Sequence, residues 1–181
     1  MIFYPSPIFP EVFIIEPDLF TDNRGYFMET YHQEKFAAAG IDITFAQDNQ
    51  SSSTKGILRG LHYQIKKPQG KLVRVLYGEV FDVCVDIRRS SPNFGKWFGI
   101  ILSEDNKKSL SIPPNFAHGF CVLTDKAEFF YKCTDFYNPD YERAIRWNDP
   151  DLSFKWPIKD PILSAKDASC PFLKDAELPH E

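Results

Sequence analysis

The stretch VFDVCVDI at residues 80–87 alternates Val80, Asp82, Cys84 and Asp86 with Phe81, Val83, Val85 and Ile87. Such a strict two-residue period fits an extended strand, because a helix would scatter the same residues around its circumference. That strand has one polar face. The same period recurs between clusters of Gly, Pro, Asn and Asp, and predicts further strands at residues 12–16, 25–31, 72–77, 97–102, 108–112, 119–123 and 127–134. LVRVLYGEVFDV reads as a hairpin turning at Gly78-Glu79, since a leading Gly suits a primed turn. Only one early helix is predicted, over residues 32–39, stopped by Gly40 as the C′ residue. Roughly eight to ten antiparallel strands in a chain of this size indicate an all-β jelly-roll barrel or sandwich.

Composition agrees: 17 Phe, 8 Tyr and 3 Trp with 14 Pro against 9 Gly favour strands joined by many turns. A net charge of -4, with Lys and Arg never clustered beyond pairs, argues against a nucleic-acid or anionic-membrane partner. No stretch approaches the roughly 20 apolar residues of a membrane span, and MIFYPSPIFPEVF has no basic region leading an apolar core, so a cytoplasmic chain is expected. The widely spaced Cys84, Cys121, Cys133 and Cys170 read as buried free thiols. Beyond about residue 138 the texture turns to Pro and Asp with no sustained period, a tail of turns and short helices. Its aromatics Trp147, Phe154 and Trp156 call for it to pack down. The expectation is a single domain over residues 1–181: an N-terminal arm to about 31, a barrel over about 45–137, and a covering segment over about 138–181.

Two stretches carry candidate chemistry. In GILRGLHYQ a Gly stands six residues before His62, and PPNFAH brings His118 after a turn at Asn115; both resemble the two motifs of cupin-like barrels. In the metal-holding pattern a second His follows at +2 and a Glu a few residues later. Here +2 is Gln64, and no carboxylate follows at 66–70. Two imidazoles alone make a poor first-row metal site, so no metal and no cofactor are expected. Asn115 replaces a usual Gly and is the non-Gly residue best able to hold a positive φ. Arg59, Lys71 and Tyr131 fall on strands that could share the same lumen. Each of these taken alone is more often structural. A neutral base, a phenolic acid and a cation together point to proton transfer next to a carbonyl.

Over RGLHYQ, GKLVRVLYGEVFDVCVDIRRSSPNFGKW, IPPNFAHGF and YKCTDFYNPDYERAIRWNDPDL, the chain resembles the dTDP-4-dehydrorhamnose 3,5-epimerase family, from about residue 3 to 167. The resemblance implies epimerisation of dTDP-4-dehydro-6-deoxy-D-glucose at C3 and C5. Protons there flank the C4 ketone, so removing either gives an enolate with its charge on O4. By the same resemblance His62 is the base, Asp167 the carboxylate that orients it, Tyr131 the acid and Lys71 the cation facing the oxyanion. Without the resemblance, Asp167 reads as an ordinary solvated tail residue. Arg59 matches a diphosphate ligand, and Gln47 and Asn49 match polar contacts to nucleotide and phosphate. Tyr137 falls where an aromatic stacks on thymine, and Arg24 and Glu29 where the base edge is read. His118, Glu142 and Lys166 match further substrate-binding positions.

The resemblance also implies a homodimer in which the aromatic, Pro-punctuated arm adds to the partner's sheet, bringing Arg24 and Glu29 to the partner's site. Its prolines argue against a central strand of the chain's own sheet. A related dTDP-4-keto-6-deoxysugar epimerase or ketoisomerase would use the same residues. From other classes, Gln64 weighs against a metal-dependent oxygenase, and the pair His62 and Tyr131 weighs against a non-catalytic sugar-nucleotide binder.

Overall fold

The computed structural model describes residues 1–180. Two antiparallel sheets face each other. The six-stranded sheet runs, edge to edge, β1 (Ile2–Pro5), β2 (Phe13–Glu16), β10 (Ser109–Ile112), β7 (Lys71–Tyr77), β12 (Lys126–Cys133) and β5 (Gln47–Thr54). The five-stranded sheet runs β13 (Glu142–Ala144), β6 (Leu58–Gln64), β11 (Phe116–Val122), β8 (Glu79–Asp86) and β9 (Trp97–Ser103). Strands β3 (Leu19–Asp22) and β4 (Gly25–Met28) form a separate two-stranded hairpin. The jelly-roll, all-β expectation therefore stands.

Val73, Val75 and Phe129 from the first sheet pack against Val80, Cys84, Phe98, Leu102 and Phe120 from the second, forming the inter-sheet core. The polar face of β8 is the inward one: Val80, Asp82, Cys84 and Asp86 are all fully buried. Its apolar partners Val83, Val85 and Ile87 point outward and are buried by the C-terminal segment through Ile145, Leu152, Leu173, Ala176 and Leu178. The tail thus packs down as its aromatics require. Trp156 donates its indole N–H to the Trp147 carbonyl at 2.8 Å, and Phe154 packs beside Trp97.

The helix α1 (Gln33–Ala38) lies inside the expected span. Gly40 (φ +84°) donates to the Ala37 carbonyl at 3.0 Å and Ile41 to the Phe36 carbonyl at 2.9 Å, the paired closing bonds of a Schellman end. Buried Phe36 and Ile41 pack together with Ile15 and Leu72, which docks the helix on the first sheet.

Two expectations are corrected. Residues 71–86 are not a hairpin: β7 and β8 belong to different sheets, and Gly78 (φ +74°) turns the chain from one wall to the other. A side chain there would strike the Thr124 hydroxyl and the Lys126 carbonyl. The corner is closed by Glu104, which accepts from the Gly78 N–H at 2.9 Å, and by Thr124, which accepts from the Glu79 N–H at 2.9 Å. The arm, in turn, does not leave its own sheet as a whole: β2 pairs with β10, and β1 forms the outer edge. Prolines are tolerated because Pro5 ends that edge strand, while Pro7 and Pro10 lie in the turn before β2.

Candidate active site

A cavity of about 330 Å³ opens between the sheets. Its floor and walls are set by a break in the alternation of β6. Strict pleating would put Arg59 and His62 on opposite faces. The ladder between β6 and β11 shifts register at residues 118–120, and Gly60 (φ +128°) lies against Gly119 so closely that an added Cβ would stand 2.5 Å from the Gly119 Cα. Glycine at both positions permits this bulge, and Arg59 and His62 both reach the cavity.

His62 and Tyr131 enter from opposite walls, His62 on β6 of the five-stranded sheet and Tyr131 on β12 of the six-stranded one. The His62 Nε2 lies 2.7 Å from Oδ1 of Asp167, which is nearly fully buried. With Nε2–H donating to the carboxylate, the ring's lone pair sits on Nδ1. Asp167 is held by the tail's sequence LSAKD: Ser164 caps α2 (Ala165–Ala168) and accepts the Asp167 backbone N–H at 3.0 Å. Burial pushes the Asp167 carboxyl up, but the His62, Ser164 and Gly60 hydrogen bonds outweigh it and hold the group ionised below its ordinary range.

Lys71 is buried on β7 and lines the same cavity, with no carboxylate within ion-pair distance of its Nζ among the described residues. Burial lowers its pKa against the pull of Cys133, Asp82 and Glu142. Burial raises the Tyr131 phenol, which therefore keeps its proton at neutral pH. His118 stands opposite His62 in the β6–β11 ladder and bonds through Nε2 to Asp82 at 2.9 Å. Burial lowers its pKa, so it is neutral at pH 7. The period of β8 put Asp82 on its polar face, and the structure shows that face to be the inward one.

Gln47, Asn49, Arg59, Tyr137 and Glu142 also line the cavity, as expected of them. Arg59 Nε donates to Ser53 at 3.0 Å, and Gln47 Nε2 donates to Asn49 at 2.9 Å. The Tyr137 hydroxyl donates to Glu142 at 2.8 Å, and Lys166 pairs with the same Glu142 oxygen. A neighbouring hollow lined by Lys166, Asp167 and Ser164 joins the first through Arg59, His62 and Glu142. Arg24 and Glu29 are not brought there. Arg24 points into solvent on the β3–β4 turn, its side chain 87% exposed and paired with Asp22, while Glu29 pairs with Lys35.

Six residues that sequence reasoning did not single out share the lining: Ser51, Tyr63, Gln69, Gly119, Phe120 and Phe129. Ser51 carried no periodic signal, since every residue from Gln47 to Thr54 is polar.

The dTDP-4-dehydrorhamnose 3,5-epimerase family model matches residues 7–175. A dTDP-4-dehydrorhamnose 3,5-epimerase of Shigella flexneri is 55% identical over 170 residues, covering 93% of this chain and 94% of that protein. The crystal structure of dTDP-6-deoxy-D-glucose-3,5-epimerase from Legionella pneumophila, in complex with dTDP-4-keto-L-rhamnose, superposes with a TM-score of 0.95 at 48% identity, covering 99% of this chain and 97% of that one. A 3'-monoepimerase from Streptomyces bikiniensis, in complex with dTDP-quinovose, superposes with a TM-score of 0.90 at 34% identity, covering 97% and 92%. Two facing sheets with an imidazole–carboxylate pair and a phenol on opposite walls, and sequence similarity along nearly the whole chain, converge on one conclusion: the chain belongs to the dTDP-4-dehydrorhamnose 3,5-epimerase family.

Proposed function

We propose that the chain converts dTDP-4-dehydro-6-deoxy-D-glucose into dTDP-4-dehydro-L-rhamnose by inverting C3 and C5. The observation that carries this is the placement of the His62–Asp167 pair and Tyr131 on opposite walls of one cavity that also holds Lys71. Inversion needs a base on one face of the sugar and an acid on the other. His62 Nδ1 takes the proton α to the ketone, and the C–H electron pair passes into the enolate with its charge on O4. Asp167 stabilises the imidazolium that results. Lys71 faces the oxyanion, and Tyr131 returns a proton to the opposite face of the same carbon, restoring the ketone. Proton exchange with solvent resets both residues.

Incubation with the 4-keto sugar nucleotide in D2O should place deuterium at both C3 and C5 by NMR. Uptake at C3 alone would replace this reading with a single-position epimerase, the activity named for the Streptomyces neighbour. Tyr131→Phe should separate the two halves of the reaction: exchange continues while conversion to the L-sugar falls by about 10²-fold or more. Full conversion by that variant would remove Tyr131 from the role of acid.

The nucleotide half of the substrate falls to Arg59, whose guanidinium fork suits a diphosphate, with Gln47 and Asn49 beside it and Tyr137 for the base. Glu142, Lys166 and His118 border the sugar. Arg24 and Glu29 reach a site only from a second copy. The β3–β4 hairpin supports that dimer, because it exposes Leu19, Phe20, Tyr26 and Phe27, an apolar patch that wants a partner surface. Arg24→Ala and His62→Asn proteins, each inactive, should regain roughly a quarter of full activity when unfolded and refolded together, since half the dimers are mixed and each carries one intact site. No recovery, or a monomer in light scattering, would count decisively against a shared site. Four buried free thiols support a cytoplasmic setting. No helix among the described residues is long and apolar enough to cross a membrane.

A further inference from the structure

Between β12 and β13 the chain carries Tyr137 across the cavity on a segment, residues 134–138, that pairs with no strand. Apolar packing does not fix it: Phe136 is 65% exposed and Tyr137 48%. Its backbone is held at Thr134 by the Gly70 carbonyl and, beyond that, by side-chain amides from outside the segment. Gln69 Nε2 donates to the Asp135 carbonyl at 2.7 Å, and Gln47 Oε1 accepts from the Tyr137 N–H at 2.9 Å. Gln64 makes the fullest set. Its Nε2 donates to the Phe136 carbonyl at 3.3 Å and the Lys67 carbonyl at 3.0 Å, while its Oε1 accepts from the Asn138 N–H at 2.7 Å.

Gln64 is only 3% exposed and stands directly opposite Glu142 in the β6–β13 ladder. Glu142 accepts the Tyr137 hydroxyl. One pair of facing residues therefore grips Tyr137 from both ends, the backbone on either side of it through Gln64 and the phenol through Glu142.

We propose that Gln64 is a positioning residue for nucleotide binding, its amide setting the pose in which Tyr137 meets the base. This rests on the assignment of Tyr137 to the nucleobase. The chemistry requires an amide because the two carbonyls need a donor and the Asn138 N–H needs an acceptor at one buried point. A carboxylate of the same size supplies only acceptors and turns two bonds into repulsions. Gln64 lines the cavity two residues from His62 on the same strand, but its amide is engaged by the Phe136 and Lys67 carbonyls and the Asn138 N–H, so its loss should act on binding and spare proton transfer.

The test compares Gln64→Glu, Tyr137→Ala and the double variant, reading dTDP affinity by calorimetry, KM and kcat for the 4-keto sugar nucleotide, and melting temperature. Gln64→Glu should weaken dTDP binding and raise KM by roughly tenfold with kcat within about twofold, and the double variant should be no weaker than Tyr137→Ala alone. Wild-type dTDP affinity in folded Gln64→Glu, or losses that add in full in the double variant, would overturn the proposal. If Tyr137→Ala itself binds dTDP normally, the assignment of Tyr137 to the base fails instead, and with it the route by which Gln64 acts. Should Gln64→Glu fail to fold, Gln69→Leu removes a second amide from the same segment. It should raise KM by a fewfold at unchanged kcat; a wild-type KM there would equally overturn the proposal.

Discussion

His62→Asn should abolish deuterium uptake at both C3 and C5, with kcat/KM falling by about 10³-fold or more while dTDP affinity stays within about twofold. Every turnover begins with proton removal, and the geometry offers one imidazole whose far nitrogen is fixed by a buried carboxylate at 2.7 Å. Asn ends near the position of Nδ1 and does not reach Asp167, so the buried carboxylate loses this partner and the melting temperature should fall modestly while the protein stays folded. Asp167→Asn is the companion. It leaves the ring in place but removes the charge that stabilises the imidazolium, and should lose about 10²-fold or more in kcat. His118 is the internal control for base identity. It is also paired with a carboxylate, and burial keeps it neutral. If His62→Asn still exchanges one carbon, His118 is the base for that carbon.

What the sequence made legible followed from solvent and core. Strands β7 to β12 alternate because one face packs on apolar neighbours, and their expected spans differ from the observed ones by only a few residues. Strand β5, QDNQSSST, went unseen because all its residues are polar, the inward ones lining the cavity, so no apolar alternation marks it. Apolar alternation detects packing against protein, and a wall that faces a sugar nucleotide does not show it. Strand β6 was hidden by its own bulge at Gly60, which breaks the period at the place where Arg59 and His62 must share a face. The misread turn at Gly78 has a similar origin: a positive-φ Gly marks a sharp turn, but only the third dimension shows whether the chain returns to the same sheet or crosses to the other.

The site divides in the same way. Tyr131 stands on a strand that the two-residue period predicts and Lys71 at the start of another, whereas His62 lies on the bulged β6 and Asp167 lies 105 residues from it on a four-residue helix. No local pattern distinguishes its carboxylate from a solvated one. Only the resemblance connected the two. Arg24 and Glu29 stand apart from the cavity, paired with Asp22 and Lys35, and no pattern in the sequence distinguished them from residues that line it.

Lys71→Met should show function and stability pulling apart. Lys71 is a buried ammonium with no carboxylate partner among the described residues, and burial lowers its pKa. The unfolded chain therefore holds this proton more tightly than the folded one. The resulting cost to stability is present below the folded pKa and is relieved as pH rises through it toward the unfolded value of about 10.5. Met fills similar volume without the charge, so the variant should melt higher at pH 7, by about 2–4 °C for each ~1 kcal/mol recovered. Turnover should fall by about 10²–10³-fold, because an ammonium aimed at a developing oxyanion in a half-closed cavity acts at low effective dielectric. The same shift sets the alkaline limb of the wild-type enzyme. Burial moves Lys71 down, so rising pH removes its charge earlier than from a free lysine, and kcat should decline below the ordinary lysine range. Deuterium exchange by Tyr131→Phe should keep that limb, since the phenol is gone and the ammonium is not. A Lys71→Met protein that melts lower than the parent would mean that the cation is paired in solution. One that turns over normally would mean that O4 is stabilised by another group.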